Sequence, residues 1–262
     1  MRELLALLAF VRLGWHGAVA QRAAILARGG LYALVLAIWW QLWQATPLGE
    51  LGRADVTPEG LLWYVAVTEW IVFAAGMPYR EIEADIRDGR IATALTRPVG
   101  YGAAMYAQWL GEVAYRLLVL GALGFAAAWW LAGAPPTAPA RWVAIAASGC
   151  VATAVLLVWQ YAIGMTAAWA GAAAPLYWIW QKLVFVLGGL LMPVSLYPPV
   201  MRAIAEATPF PALIHAPASL AFDPAASFLP ILVPQLFWLA ATAVLAAGCG
   251  RLALRRLLAR GV

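Results

Sequence analysis

The chain has 262 residues, 65% of them hydrophobic and 11% charged, with a mean hydropathy of +0.82 and a net charge of +5. Soluble domains carry about 25% charged residues and about half apolar ones, so this composition excludes a soluble enzyme or binding module and predicts an all-α integral membrane protein. The 16 Arg and one Lys facing 12 acids lie in short flanks between apolar runs, which reads as a topology signal and not as a nucleic-acid footprint.

Residues 1–28 are interrupted by Arg2, Arg12, Arg22 and Arg28, with His16 among them. No window here is expected to span. Ala18-Val19-Ala20 mimics a signal-peptidase site, but an apolar region broken by Arg12 makes a poor signal peptide. The segment is predicted to be an amphipathic helix in the cytoplasmic interface, its arginines snorkelling to the headgroups and Trp15 at the boundary. Residues 29–262 then form a six-span transmembrane domain.

The first span is predicted over about Gly29 to Ala45, ending in the aromatic belt Trp39, Trp40 and Trp43. After a polar loop, the second covers Leu61 to about Met77, contains Glu69 and stops at Pro78. The third runs from about Tyr101 to Trp130, longer than an upright helix needs, so it is tilted or projects. It carries Glu112 and Arg116 at i and i+4, on one face. Adjacent prolines in AGAPPTAPA make a turn. The fourth span covers about Trp142 to Ala168, and the fifth about Leu176 to Leu191, with Gln181 and Lys182 in its first half.

Residues 193–228 hold seven prolines and only short apolar pieces. Such backbone survives at membrane depth only where protein or a water-filled cavity satisfies it. Short re-entrant or interfacial helices are expected at about Pro199 to Thr208 and Ala212 to Phe222. The sixth span covers about Leu229 to Cys249. Cys150 and Cys249 lie in apolar runs and read as small buried hydrophobes, with no disulfide or metal site expected.

With six spans, 12 of the 17 basic residues fall on one side: before span one, between spans two and three, and after span six. The positive-inside rule makes that side cytoplasmic, both termini included, and residues 193–228 external. His16 and His215 then sit on opposite sides, which removes a metal or catalytic pairing.

One charged island stands out, YREIEADIRDGRIATALTRPVG from Tyr79 to Gly100, with seven charged side chains among the eleven residues from Arg80 to Arg90. Ile82, Ile86, Ile91 and Leu95 share one side while Glu83, Arg87, Asp88 and Arg90 point largely elsewhere. Residues 80–98 therefore form one short amphipathic helix, or two half-helices meeting at Gly89, stopped by Pro98. Two readings stand open, a solvated loop obeying the positive-inside rule and a docking surface. The second accounts for the four acids among the bases, since acids add little to topology.

EADIRDGRIATALTRPVGY resembles the loop between spans two and three of ABC-2 type permeases, in particular the small six-span bacterial kind. There the pattern I-R-x-G-x-[IL]…L-x-[RK]-P-[VL] is met by Ile86, Arg87, Gly89, Ile91, Leu95, Arg97 and Pro98. GGLLMPVSLYPPVMRAIAEATPFPALIHAP is similar to the external re-entrant part of that family, with Pro193, Tyr197, Pro198, Pro209, Phe210 and Pro217 in place. At Ala92 and Thr93 the chain departs from the polar or acidic residue that members often carry, and no role is transferred there.

The resemblance implies the permease subunit of an ATP-driven exporter in the bacterial inner membrane. Such a subunit pairs with a second copy or a related permease, and cytoplasmic ATPase subunits dock on a coupling helix that includes Asp85, Ile86, Arg87, Asp88, Gly89, Arg90, Leu95, Arg97 and Pro98. The cargo would be a hydrophobic or amphipathic drug-like compound, lipid or glycan, moving at a seam of spans one, two and five. The chain has no G-x-x-x-x-G-K-[ST], so ATP and Mg belong on the partner ATPase and no cofactor is expected here.

Glu69, Glu112 and Arg116 are candidate pathway residues because intramembrane charges are costly and mark function or a buried pair, and Trp178 and Trp180 because aromatic rings there could line a route for apolar or cationic cargo. Glu112 and Arg116 also suit an internal salt bridge, Lys182 also suits snorkelling, and the 15 tryptophans also suit interface anchoring. A membrane-embedded lipid-modifying enzyme and a non-transporting assembly protein are the competing classes. Against the enzyme stands the lack of a His, Asp or Ser constellation at one membrane face.

Overall fold

The computed structural model describes residues 2–48, 56–96, 99–135 and 137–259. Among them there are thirteen α-helices and no strand. Six helical stretches are long and apolar enough to cross a membrane: Glu3–Ala20, Arg22–Ala45, Pro58–Arg87, Tyr101–Ala132, Arg141–Ala170 and Phe228–Ala259. The chain is a multi-pass membrane protein.

Six matches the expected number of spans, but the six stretches include Glu3–Ala20 and leave out the predicted fifth span. Helix α1 (Arg2–Ala20) qualifies by length and hydropathy, because Glu3 and Arg12 are the only charges between Glu3 and Ala20. The chain bends at Gln21 and continues as α2 (Arg22–Ala45), so the break falls seven residues before Arg28 and not after it. α1 runs beside the first half of α6 (Tyr101–Ala132). Gly14 and Gly111 let the two backbones touch: a Cβ on Gly14 would lie 1.9 Å from the Gln108 carbonyl oxygen, and one on Gly111 1.9 Å from that of Val11. Trp15 packs edge-on against Tyr115 just beyond, with ring centroids 5.3 Å apart.

Helix α3 (Pro58–Ala75) is capped by the Thr57 side chain, which accepts from the Gly60 N–H at 3.1 Å. Apart from Glu59, Thr68 and Glu69 it is apolar on every side, and such a helix belongs at the centre. It packs on α2, α6, α7 (Arg141–Met165) and α12 (His215–Phe222). Its surroundings are tied by side chains donating to backbone carbonyls, the polar glue of membrane bundles: Tyr32 to Ala66, Trp70 to Leu117 at 2.8 Å, Thr68 to Leu190 at 2.7 Å.

After α7 and the single turn α8 (Ala167–Ala170) comes α9 (Ala174–Leu187). Its 14 residues extend about 21 Å, short of the roughly 30 Å hydrocarbon core. The predicted fifth span, Leu176 to Leu191, therefore does not cross alone; the helix stops at Gly188-Gly189, where Gly189 takes φ +74°.

The proline-rich stretch folds as α10 (Pro199–Glu206), α11 (Phe210–Leu213) and α12, close to the expected pieces. Its backbone is satisfied by the bundle. Arg141 donates to the carbonyls of Asp223 at 3.0 Å and of Ala226, and Thr137 to Leu220 at 3.3 Å. Buried Gln235 donates to Ala212 at 2.9 Å and accepts from Ser148 at 3.0 Å. Burial lowers His215 to about 4. Helix α13 (Phe228–Ala259) carries the predicted sixth span ten residues further, through Arg251, Arg255 and Arg256. Cys150 and Cys249 are free.

Candidate functional site

Two half-helices form the charged island, α4 (Tyr79–Arg87) and α5 (Arg90–Leu95), joined by Gly89 at φ +70°. A Cβ on Gly89 would meet nothing within 4 Å. Glycine is required there by the left-handed backbone and not by lack of space. Ile82 and Ile91 are fully buried and pin one half-helix each to the bundle, with Ile86 half-buried between them. Arg97 and Pro98 lie outside the described residues.

Three of the four acids of this hinge, Glu81, Glu83 and Asp85, face inward partners. Glu81 accepts from the Trp109 indole at 2.9 Å, and Asp85 from the Tyr101 hydroxyl at 2.9 Å, both on α6. Glu83 accepts at 2.9 Å from the N–H of Ala173, the residue that caps the start of α9. A carboxylate at a helix start satisfies an orphan donor and opposes the helix dipole. Asp85 also pairs with Arg90 at 3.0 Å, and Asp88 with both Arg90 and Arg87. These hydrogen bonds hold the Arg90 guanidinium above its ordinary value. Arg87, Asp88, Arg90, Thr93 and Thr96 remain on the exposed side. The hinge is thus a charged plate braced to α6 and α9.

A second feature is a groove of about 430 Å³ between α2, α3 and α9. Glu69 lies in its wall, only 7% exposed, with no hydrogen bond or ion pair among the described residues. Around it stand Val35, Val72, Phe73, Phe185 and Leu190. At the end where α3 finishes, Arg28 and Arg80 line the groove together with Tyr177 and Gln181. Arg28 donates to the Phe73 carbonyl at 3.3 Å, and Gln160 to that of Gly76 at 3.0 Å. Arg80 lies over Tyr79, which stacks on Tyr177 with centroids 4.2 Å apart.

The remaining pathway candidates separate. Glu112 and Arg116 form a 2.8 Å ion pair along α6, so each is the other's partner, while Arg116 also approaches Gly76. Trp180 is buried against Trp159 and Tyr177 and lines a crevice next to the groove. Trp178 points outward, 45% exposed. The structure therefore gathers Glu69 with Arg28, Arg80, Tyr177 and Gln181, none of which sequence reasoning had joined to it. Gln181, a polar side chain inside an apolar run, was the available signal. In the sequence Arg28 reads only as a flanking charge.

Compared with family models, residues 62–261 match the one described as ABC-2 family transporter protein. That stretch takes in most of α3, the hinge, α9 and α10 to α12. No curated protein matches the chain.

Proposed function

Because the chain belongs to the ABC-2 transporter family, we propose that it is the permease subunit of an ATP-driven exporter and that its ATPase docks on the α4–α5 hinge. The family accounts for a transport permease. The finer points, that ATP and Mg sit on the separate ATPase, that a second copy or a related permease completes the membrane unit, and that both termini face the cytoplasm of a bacterium, belong to this proposal. The cargo is hydrophobic or amphipathic and moves outward.

The observation that carries the reading is the bracing of the hinge. Glu81 and Asp85 join it to α6, and Glu83 to the start of α9. A force applied at its exposed charges is passed to two helices at once, one of which borders the groove. A merely solvated loop would not need three of its four acids spent on neighbouring helices. Charge reversal at Arg87 and Asp88, or Gly89→Trp, is expected to abolish co-purification with the ATPase. Normal assembly and coupling in those variants would overturn the assignment.

A further inference from the structure

We propose that the groove between α2, α3 and α9 takes an amphiphile with one anionic head, seated by Arg28 and Arg80, whose apolar chain lies along Phe73, Phe185 and Leu190. The inference deepens the permease reading, since the occupant would be its cargo, but binding itself needs no ATPase.

Charge distribution comes first. At this end of the bundle Arg87, Arg90 and Arg116 each face a carboxylate. Arg28 and Arg80 have no ion pair among the described residues, and both line the groove. Arg28 gives one N–H to the Phe73 carbonyl, a partial charge at the end of α3, and a guanidinium has five donors in a fixed fork. Two such forks suit a phosphate or a carboxylate. A cationic head would be placed against like charge.

The wall beyond them is apolar, with Val35, Val72, Phe73, Phe185 and Leu190 in it, and both α2 and α9 carry exposed apolar residues elsewhere on their surfaces, Leu31, Leu34 and Ile38 on one and Leu183 and Val186 on the other. An occupant with a hydrocarbon chain enters from the bilayer side and leaves its head at the arginines. Glu69 precedes the α3 end at Gly76 by seven residues, about 10 Å along the axis. Its carboxyl excludes a second anionic group at that depth and accepts a hydrogen bond from a hydroxyl or ammonium on the chain.

The test is equilibrium binding of radiolabelled decyl phosphate to the full chain in phosphatidylcholine nanodiscs, read above empty nanodiscs. Saturable binding is expected, about tenfold weaker in Arg80→Gln and again in Arg28→Gln, and not displaced by inorganic phosphate at the same concentration. Arg80 is exposed, so its variant keeps the fold even where Arg28→Gln does not. Equal binding in Arg80→Gln, or displacement by inorganic phosphate alone, would overturn the proposal, the latter pointing to a free-anion site. So would tighter binding of decyltrimethylammonium that is lost in Glu69→Gln. Without ATPase in the assay, a negative result leaves hinge docking untouched, and loss of docking in the hinge variants leaves this binding untouched.

Discussion

Gly89 separates two effects that a single substitution usually mixes. Its φ of +70° penalises any side chain, while the space beside it is open. Gly89→Ala should therefore cost about 1 kcal/mol of stability, read as a drop in thermal midpoint, with ATPase co-purification unchanged. Gly89→Trp should cost a similar amount yet abolish co-purification, because its bulk meets only a partner. Loss of the complex in both variants would mean that the backbone, and not the surface, is what the partner needs. His215 gives a second test at this scale. It hydrogen-bonds Tyr64 at 3.2 Å, and burial lowers it to about 4. Between that value and the ordinary 6.5 or so, the unfolded chain holds the extra proton and the folded one does not. Stability contributed by neutral His215 is thus present near neutrality and lost as pH falls from about 6.5 toward 4. The thermal midpoint should drop over that window, and His215→Gln should flatten the drop.

Among the elements, α9 is held chiefly at its ends. Glu83 grips its start, and its finish is fixed through Tyr64 to the Gly189 carbonyl and Thr68 to the Leu190 carbonyl. Along its inner face, Trp180 Nε1 and Gln181 Oε1 are buried without a hydrogen-bond partner among the described residues, as is Gln160 Oε1 opposite, so this face contributes less than a fully paired one. A strut of that kind follows whatever moves its ends. Glu83→Ala is expected to leave ATPase assembly intact and to lower transport at least about tenfold, the equivalent of one charge-assisted hydrogen bond; unchanged transport would remove α9 from the coupling route. The α1–α6 crossing behaves differently, since its backbones are in contact at Gly14 and Gly111. Gly111→Val should cost about 3 kcal/mol or release α1, visible as protease sensitivity ahead of residue 22.

The hinge was legible at this scale because period and chemistry agreed: Ile82, Ile86 and Ile91 on one side, a glycine between two helical runs, and charges elsewhere. The inward use of Glu81, Glu83 and Asp85 was not legible, because their partners lie 28, 90 and 16 positions away. The short α9 was hidden for another reason. Apolar residues continue from Leu187 to Met192, and hydropathy does not register the turn that Gly188-Gly189 allows.

For the whole molecule, composition alone fixes the solvent and the fold class, and arginine spacing supplies an orientation. What composition conceals is which apolar surface faces lipid and which faces protein. α3 and the first part of α13 are both largely apolar, yet α3 is the centre of the bundle while α13 exposes Leu229, Val233, Phe237 and Val244. The groove was hidden in the same way. Arg28, Glu69 and Gln181 belong to three helices and acquire a common meaning only when α2, α3 and α9 are side by side.

The central claim is that the hinge is presented to a cytoplasmic ATPase. It is tested most directly by labelling an exposed hinge residue, Thr93→Cys, in a chain whose Cys150 and Cys249 are replaced by Ala, with a membrane-impermeant maleimide. The account predicts labelling in inside-out vesicles, protection when the ATPase is bound, and none in intact cells. Labelling in intact cells would contradict it.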